Sequence, residues 1–383
     1  MKRSAAVLVA AIALAAGLSA QTISLSNVKG VAFNYSVPGL TGLPVPTGAD
    51  IQYGLPVASI DDHPFTAVVR FRGAWEDLRL LRNPTNGEPI KEPLEFDGSE
   101  WYYAPNFQWA LGATQSFAQR PDGQDLVDVF AFYRGRYDQY QTSNATTVFT
   151  DMKGLFGTSF LAGLAYDSTA MDSRRVYSGV YAELSAEYGP GAINTDPYTD
   201  FCRFDLKVLG YEPLFSTGQG KDASLNAWSL YLAGYASADY AFGNQVPIWV
   251  MQTFGGRDLN GSLGDCVRGY PTGSYDTSFK AVGNGEVRLI GPALFDVHWL
   301  VPMAYLFVDA GCYSGFANDM DLNANASGTI LSSGVGLNLD IFDFAYVGAY
   351  CGLKFPQWSS LYSTYTSTGP FFWNIQFLLQ ISD

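Results

Sequence analysis

The chain offers few groups that could do chemistry, and most of those few lack the company they would need. Its two histidines, His63 and His298, are far apart, and no Gly-x-Ser-x-Gly turn is present to expose a nucleophile beside either. His298 falls at a strand start near a turn, a structural position. The four cysteines, Cys202, Cys266, Cys312 and Cys351, are not spaced as metal ligands. An even number allows disulfides, but three pairings are open, and free cysteines serve equally well as small apolar strand residues. Asp319 to Asn325, DMDLNAN, opens like a calcium loop. It has Ala324 where the sharp turn needs glycine and Ile330 where the loop needs its last acid. The glycines of Gly283–Gly291, GNGEVRLIG, lie on a strand with no helix after them, so they cradle no phosphate. No enzyme chemistry, cofactor or metal is expected. What remains is a cation on a bend: Arg268 in Cys266–Gly273, CVRGYPTG. A guanidinium flanked by Val267, Gly269 and Tyr270 suits two-pronged pairing with carboxylates. A solvated loop arginine is the plain alternative, with ion pairs worth about 0–1 kcal/mol.

The elements that must carry these residues are strands. In Leu331–Ile341, LSSGVGLNLDI, the odd positions are apolar apart from Ser333, and the even ones are Ser332, Gly334, Gly336, Asn338 and Asp340. That is a period of two. Phe371–Ile381 repeats it. In FKAVGNGEVRLI, Lys280, Asn284, Glu286 and Arg288 share the polar face. In AYLFVDAG, Ala304, Leu306, Val308 and Ala310 are opposite Asp309. Further strands are expected over Phe65–Leu81, Tyr102–Phe117, Val127–Tyr140, Gly157–Asp167, Tyr198–Tyr211, Ala227–Tyr240 and Ile248–Phe254. The stretch Gln21–Pro64 is less regular, with many Gly and Pro. Asn83–Glu100, Gly315–Gly328 and Pro356–Gly369 read as long polar loops, and Ile341–Tyr346 contains a tight turn.

Two-sided strands of this kind build either a soluble sandwich or a membrane barrel. Three observations favour the barrel. The strands reach the 9–11 residues or so that a tilted span needs. Charged residues make up 15% of the chain, against about 25% in a usual soluble domain. Residues 1–20 also read as an export signal: Lys2 and Arg3, then an apolar run from Ala5 to Leu14 too short to span, then Ser19-Ala20 for cleavage. The expectation is therefore a cleaved signal peptide over 1–20 and one transmembrane antiparallel β-barrel over 21–383. At about 22 residues per strand and loop it would have about 16 strands. Lipid is the partner of its outer face. A net charge of −14 argues against nucleic acid.

Three segments in order carry a family resemblance: Gly255–Asp276, GGRDLNGSLGDCVRGYPTGSYD; Gly283–Gly291; and Leu306–Gly311, LFVDAG. With Gly163–Gly191 before them, they resemble the bacterial surface antigen family, the BamA-like barrels of outer-membrane assembly factors and two-partner secretion pores. The resemblance is strongest over 155–383. It implies outer-membrane localisation and a Val-Arg-Gly-Tyr loop folded into the barrel, with Val267, Gly269 and Tyr270 as its motif. It also implies that Arg268 is locked onto Glu286 and Asp309. The implied activity is outer-membrane protein assembly or translocation, with client proteins or other assembly components as partners. A passive pore or a surface antigen with a loop-plugged lumen is the alternative. The chain departs from the family pattern in two ways. Its length is expected to be spent on the barrel, without periplasmic POTRA domains. Its last strand has Gln376 where a kinking glycine is expected and ends at Asp383 rather than on an aromatic residue.

Overall fold

In the computed structural model, residues 29–38, 48–79, 101–139, 154–172, 176–194, 199–217, 227–251, 267–270, 278–296, 300–314, 327–341, 345–355 and 370–382 are described. The strands are β1 (Lys29–Pro38), β2 (Gly48–Ile60), β3 (His63–Arg79), β4 (Trp101–Gln119), β5 (Asp125–Gln139), β6 (Gly154–Asp167), β7 (Ala170–Met171) and β8 (Tyr177–Gly189). They continue with β9 (Asp200–Ser216), β10 (Ser229–Gln245), β11 (Phe279–Ile290), β12 (Leu300–Ser314), β13 (Ser327–Ile341), β14 (Ala345–Lys354) and β15 (Phe371–Ser382). Each long strand pairs antiparallel with its sequence neighbours. β1 pairs with β15 from Gly30↔Ser382 to Pro38↔Asn374, and β6 pairs with β8. The sheet therefore closes on itself and leaves no edge. This excludes a two-layer sandwich. The two-residue β7 prolongs β6 past Ser168, whose amide and hydroxyl both bond the Val180 carbonyl.

Among the described residues the ring has 14 long strands, not the 16 or so expected. Many strands run well past the minimum span, to 19 residues in β4, and the connections are long. Each strand with its connection thus takes about 26 residues rather than about 22. The irregular N-terminal stretch supplies β1 and β2. Residues 1–20, the expected signal, lie outside the described residues.

The period-two reading translates into an outside and an inside. Along β12, Leu306, Val308 and Ala310 are exposed, while Tyr305, Phe307, Asp309 and Tyr313 are buried. Along β11, Lys280, Asn284, Glu286 and Arg288 are buried inward and Val287 is exposed outward. Large apolar side chains are exposed around much of the outer wall, among them Leu111, Phe160, Leu184, Leu232 and Leu337. That is the face lipid would cover. A cation turned to it would cost about 2–4 kcal/mol at mid-membrane. Among the described residues no helix is long and apolar enough to cross a membrane.

The two ends of the barrel differ. Both termini share one end with connections 61–62, 120–124, 168–176, 217–228, 291–299 and 342–344. The opposite end carries 39–47, 80–100, 140–153, 190–199, 246–278, 315–326 and 355–370. Asp61 and Asp62 both have positive φ, as a two-residue hairpin turn of the twist-matching type requires. The strand expected over Ile248–Phe254 is instead a short helix, α1 (Ile248–Met251). Pro247 has no amide for a ladder, and its carbonyl accepts the Val250 amide at 2.9 Å.

Candidate functional site

The connection between β10 and β11 is the longest in the chain, and its residues 267–270 lie inside the barrel. Val267, Arg268 and Tyr270 are at most 2% exposed. Arg268 presents its fork to Asp309: Nε donates to Oδ2 and Nη2 to Oδ1, each at 2.6 Å. The Arg268 backbone amide donates to the same Oδ2 at 3.0 Å, and Asn284 Nδ2 donates to Oδ1 at 2.8 Å. Nη1 of Arg268 donates to Glu286 Oε1 at 2.6 Å. The other oxygen of Glu286 accepts from Arg288 Nε at 2.6 Å, and Arg288 Nη1 donates to the Tyr231 hydroxyl at 3.3 Å. Two guanidinium groups and two carboxylates thus neutralise one another away from water. Charges so buried are tolerable only when paired and hydrogen-bonded, and removing one partner typically costs about 3–5 kcal/mol.

Strand alternation places both acids. Asn284 of β11 is directly opposite Asp309 of β12, and Glu286 is two residues further along the same inward face. Asp309 is five residues from Ser314 at the loop end, so the bend reaches about 17 Å into the barrel at ~3.4 Å per residue. Aromatic rings cradle the cation. Its Cζ lies 3.7 Å from the Phe307 ring centroid, 5.8 Å from Tyr305 and 6.0 Å from Tyr350. A cation over such faces gains further attraction when desolvated. Gly269 has φ +93°, and a Cβ there would lie 2.5 Å from Phe372 Cδ1 on β15. Glycine is required both by the backbone and by the ring against it. Val267 and Tyr270 pack with Val282, Tyr313 and Ile330, and the Tyr270 hydroxyl donates to the Leu331 carbonyl at 3.2 Å. The residues named for the inward loop and its lock, Arg268, Glu286, Asp309, Val267, Gly269 and Tyr270, lie together in this one cluster.

Sequence reasoning missed a second place where the same connection meets the wall. Val246 just before α1 and Val250 within it are buried. Lys280 Nζ of β11 donates to the Val250 carbonyl at 3.2 Å and lies 3.7 Å from Asp239 of β10. Asp239 in turn bonds Arg203 of β9. Trp249 stacks 5.4 Å from the Arg136 guanidinium of β5 and sits over Gly157 of β6. The connection therefore touches the β5–β6 wall at Trp249 and the β11–β15 wall at 267–270. The inward face of Lys280 was readable from alternation. Trp249 was hidden by an apolar run, IWVM, that fits a strand or a helix equally well.

Other candidates add no chemistry. Among the described residues no group of His, Cys, Asp and Glu could hold a metal, and Cys202, Cys312 and Cys351 are free thiols. Cys266, His298 and the calcium-like stretch Asp319–Asn325 lie outside the described residues. His63 opens β3 after the Asp61–Asp62 turn, where its carbonyl accepts from Ser59 Oγ at 3.3 Å.

No family model and no curated protein matches the chain. Solved structures do. BamA from Haemophilus ducreyi lacking POTRA domains 1–3 matches with a TM-score of 0.50 at 12% identity, over 100% of this chain and 78% of that one. CdiB from Acinetobacter baumannii matches with a TM-score of 0.51 at 12% identity, over 88% of this chain and 51% of that one. CdiB from Escherichia coli gives 0.51 and 12%, over 95% of this chain and 64% of that one. This chain thus spans less than two thirds of either CdiB. At such low identity the likeness concerns the fold alone, that of a BamA-like β-barrel.

Proposed function

From the premise of a BamA-like barrel fold, we propose that this chain is a non-enzymatic outer-membrane protein acting in the assembly or translocation of other proteins, with Arg268 as the latch of an inward loop. The observation that carries the reading is the buried four-charge cluster joining Arg268 to Glu286, Asp309 and Arg288. A charged latch has a property that an apolar plug lacks. It is strong while dry, because the local dielectric is low, and weak once water reaches it. Opening of the barrel interior by a client would wet the cluster and release the bend; closure would dry it and restore the grip. Client outer-membrane proteins and membrane lipid are the partners on this reading.

A second reading, a passive pore or surface antigen with a plugged lumen, has its own support. Inward side chains far from the latch are also packed away, Val68 at 2% and Phe132 at 3% exposure. Purified protein in liposomes separates the two. Faster folding of an unrelated barrel added to those liposomes is the result expected for an assembly factor. Steady ion conductance without any such acceleration would overturn that reading in favour of the passive one.

A further inference from the structure

On the outer wall, near the end that carries the termini, four strands share one row of side chains in register: Ala304 on β12, Leu337 on β13, Ala349 on β14 and Ile375 on β15. Bulky and minimal residues alternate along the row. Leu337 is 67% exposed and Ile375 42%. The wall is therefore dented between ridges. The dent is a groove of about 470 Å³, bounded by Leu289 on one side and by Trp228 at the rim. Among the described residues no Asp, Glu, Lys or Arg lines it. Every strand beneath it is hydrogen-bonded to two neighbours, so it offers no free backbone to a peptide.

The adjoining rim is aromatic. Trp228 packs beside Gly291 and Pro302 at the groove mouth. Four residues past Gly291, Phe295 is 87% exposed, in the turn from β11 to β12. Its φ is +59°, a conformation that non-glycine residues adopt only when the surroundings impose it. Strain spent on holding a phenyl ring fully outward makes no sense in water. It makes sense at the headgroup level of a bilayer, where barrels carry aromatic girdles. The groove then runs from that level into the hydrocarbon.

We propose that this groove is a binding site for an acyl chain of a phospholipid in the leaflet on the side of the barrel's termini, with Trp228 at its mouth. The inference rests on the membrane reading above and adds a specific site to it. A chain seated between Leu337 and Ile375 would fill the space that Ala304 and Ala349 leave, and would exchange more slowly than lipid against the rest of the wall.

The test uses the full chain in bilayer nanodiscs containing a phospholipid with brominated acyl chains, which quench nearby tryptophan emission. The difference between the native protein and Trp228→Phe isolates the signal of Trp228. Half-quenching of Trp228 is expected at a mole fraction of brominated lipid about threefold lower than that for Trp109, which packs with Tyr133 and the exposed Phe160 on the outer wall and is isolated in the same way with Trp109→Phe. Replacing both Ala304 and Ala349 by leucine fills the dent from outside the packed interior and is expected to abolish that preference. Equal quenching of Trp228 and Trp109 in the native protein would overturn the site, as would an undiminished preference in the filled variant. So would a cross-linked dimer across the groove that retains no lipid. Absence of quenching at every tryptophan would instead remove the membrane reading itself, and the site with it.

Discussion

Two walls of the same barrel interior are held in different ways. Around β3–β8 the inward side chains Val68, Ala110, Phe130, Phe132, Leu161 and Ala165 pack on one another, with Tyr181 against them. Room for these rings comes from glycines on neighbouring strands. A Cβ on Gly112 would fall 2.5 Å from Phe132, and one on Gly163 would fall 2.6 Å from Phe130. Around β10–β12 the interior is filled by paired charges and by residues 267–270, which belong to a connection rather than to the wall. The apolar cluster of the first wall is self-contained: its contacts are among strand residues and come with the sheet, although Trp249 of the β10–β11 connection touches the same wall further along, at Arg136 and Gly157. The second needs a guest. Without the bend, Asp309, Glu286 and Arg288 would face an interior emptied of Arg268, with one cation for two acids. Local packing thus holds the first wall, and a borrowed cation holds the second.

The sharpest way to break this contrast is Asp309→Ala. It strips Arg268 of three of its four hydrogen bonds here, and the expected cost is about 3–5 kcal/mol, confined to the guest. Hydrogen exchange at the Arg268 and Tyr270 amides should accelerate by two to three orders of magnitude or so while strand amides hold. Unchanged exchange at both would end the latch reading. A smaller effect of the opposite kind is expected from Gly112→Ala. The new methyl would sit 2.1 Å from the Ala131 carbonyl oxygen, and overpacking of this sort costs about 1–3 kcal/mol. Here the urea midpoint of the whole barrel should fall while the Arg268 and Tyr270 amides stay protected under native conditions. Loosening of those amides would show the two walls to be coupled. The smallest effect lies outside both, in the turn from β4 to β5. Arg120 bonds Asp122, the Gln124 side chain and the Thr169 carbonyl, and its hydrogen bond holds the Asp122 carboxyl below its ordinary value of 3.8. The tie is present above that ordinary value and is lost as pH falls through the lower folded one. A lower protection factor at the Gly123 and Gln124 amides in acid, relative to intrinsic exchange at the same pH and with both walls unmoved, is the expected outcome.

How far the sequence reveals all this depends on contrast between the two faces of each strand. β11 and β12 alternate sharply, so the inward placement of Glu286 and Asp309 could be read directly. β5 is harder. Phe130, Phe132, Arg134, Arg136 and Asp138 share its inward face, while Val129, Ala131 and Tyr133 share the other. From Val129 to Tyr133 it is apolar on both sides, and a period of two has nothing to register there. The apolar wall was invisible for that reason. β2 was obscured by Gly54 and Pro56, which look like loop residues; Pro56 stands at a bulge in the pairing with β3. The meeting of Arg268 with its acids is a different matter. The partners are 18 and 41 residues away, and no local rule reaches that far. Only the likeness of three motifs to a family suggested it.

The pairing of the first strand with the last has a consequence for how the barrel forms. β1 is matched to β15 over nine residue pairs but to β2 over only four. Its firmest neighbour is thus a strand more than three hundred residues later in the sequence. Bringing such distant segments together carries a loop-closure penalty that neighbouring hairpins do not meet. Hairpins from β2 onward can zip early, whereas β1 must find the distant β15, which makes sealing of the cylinder the late and slow event.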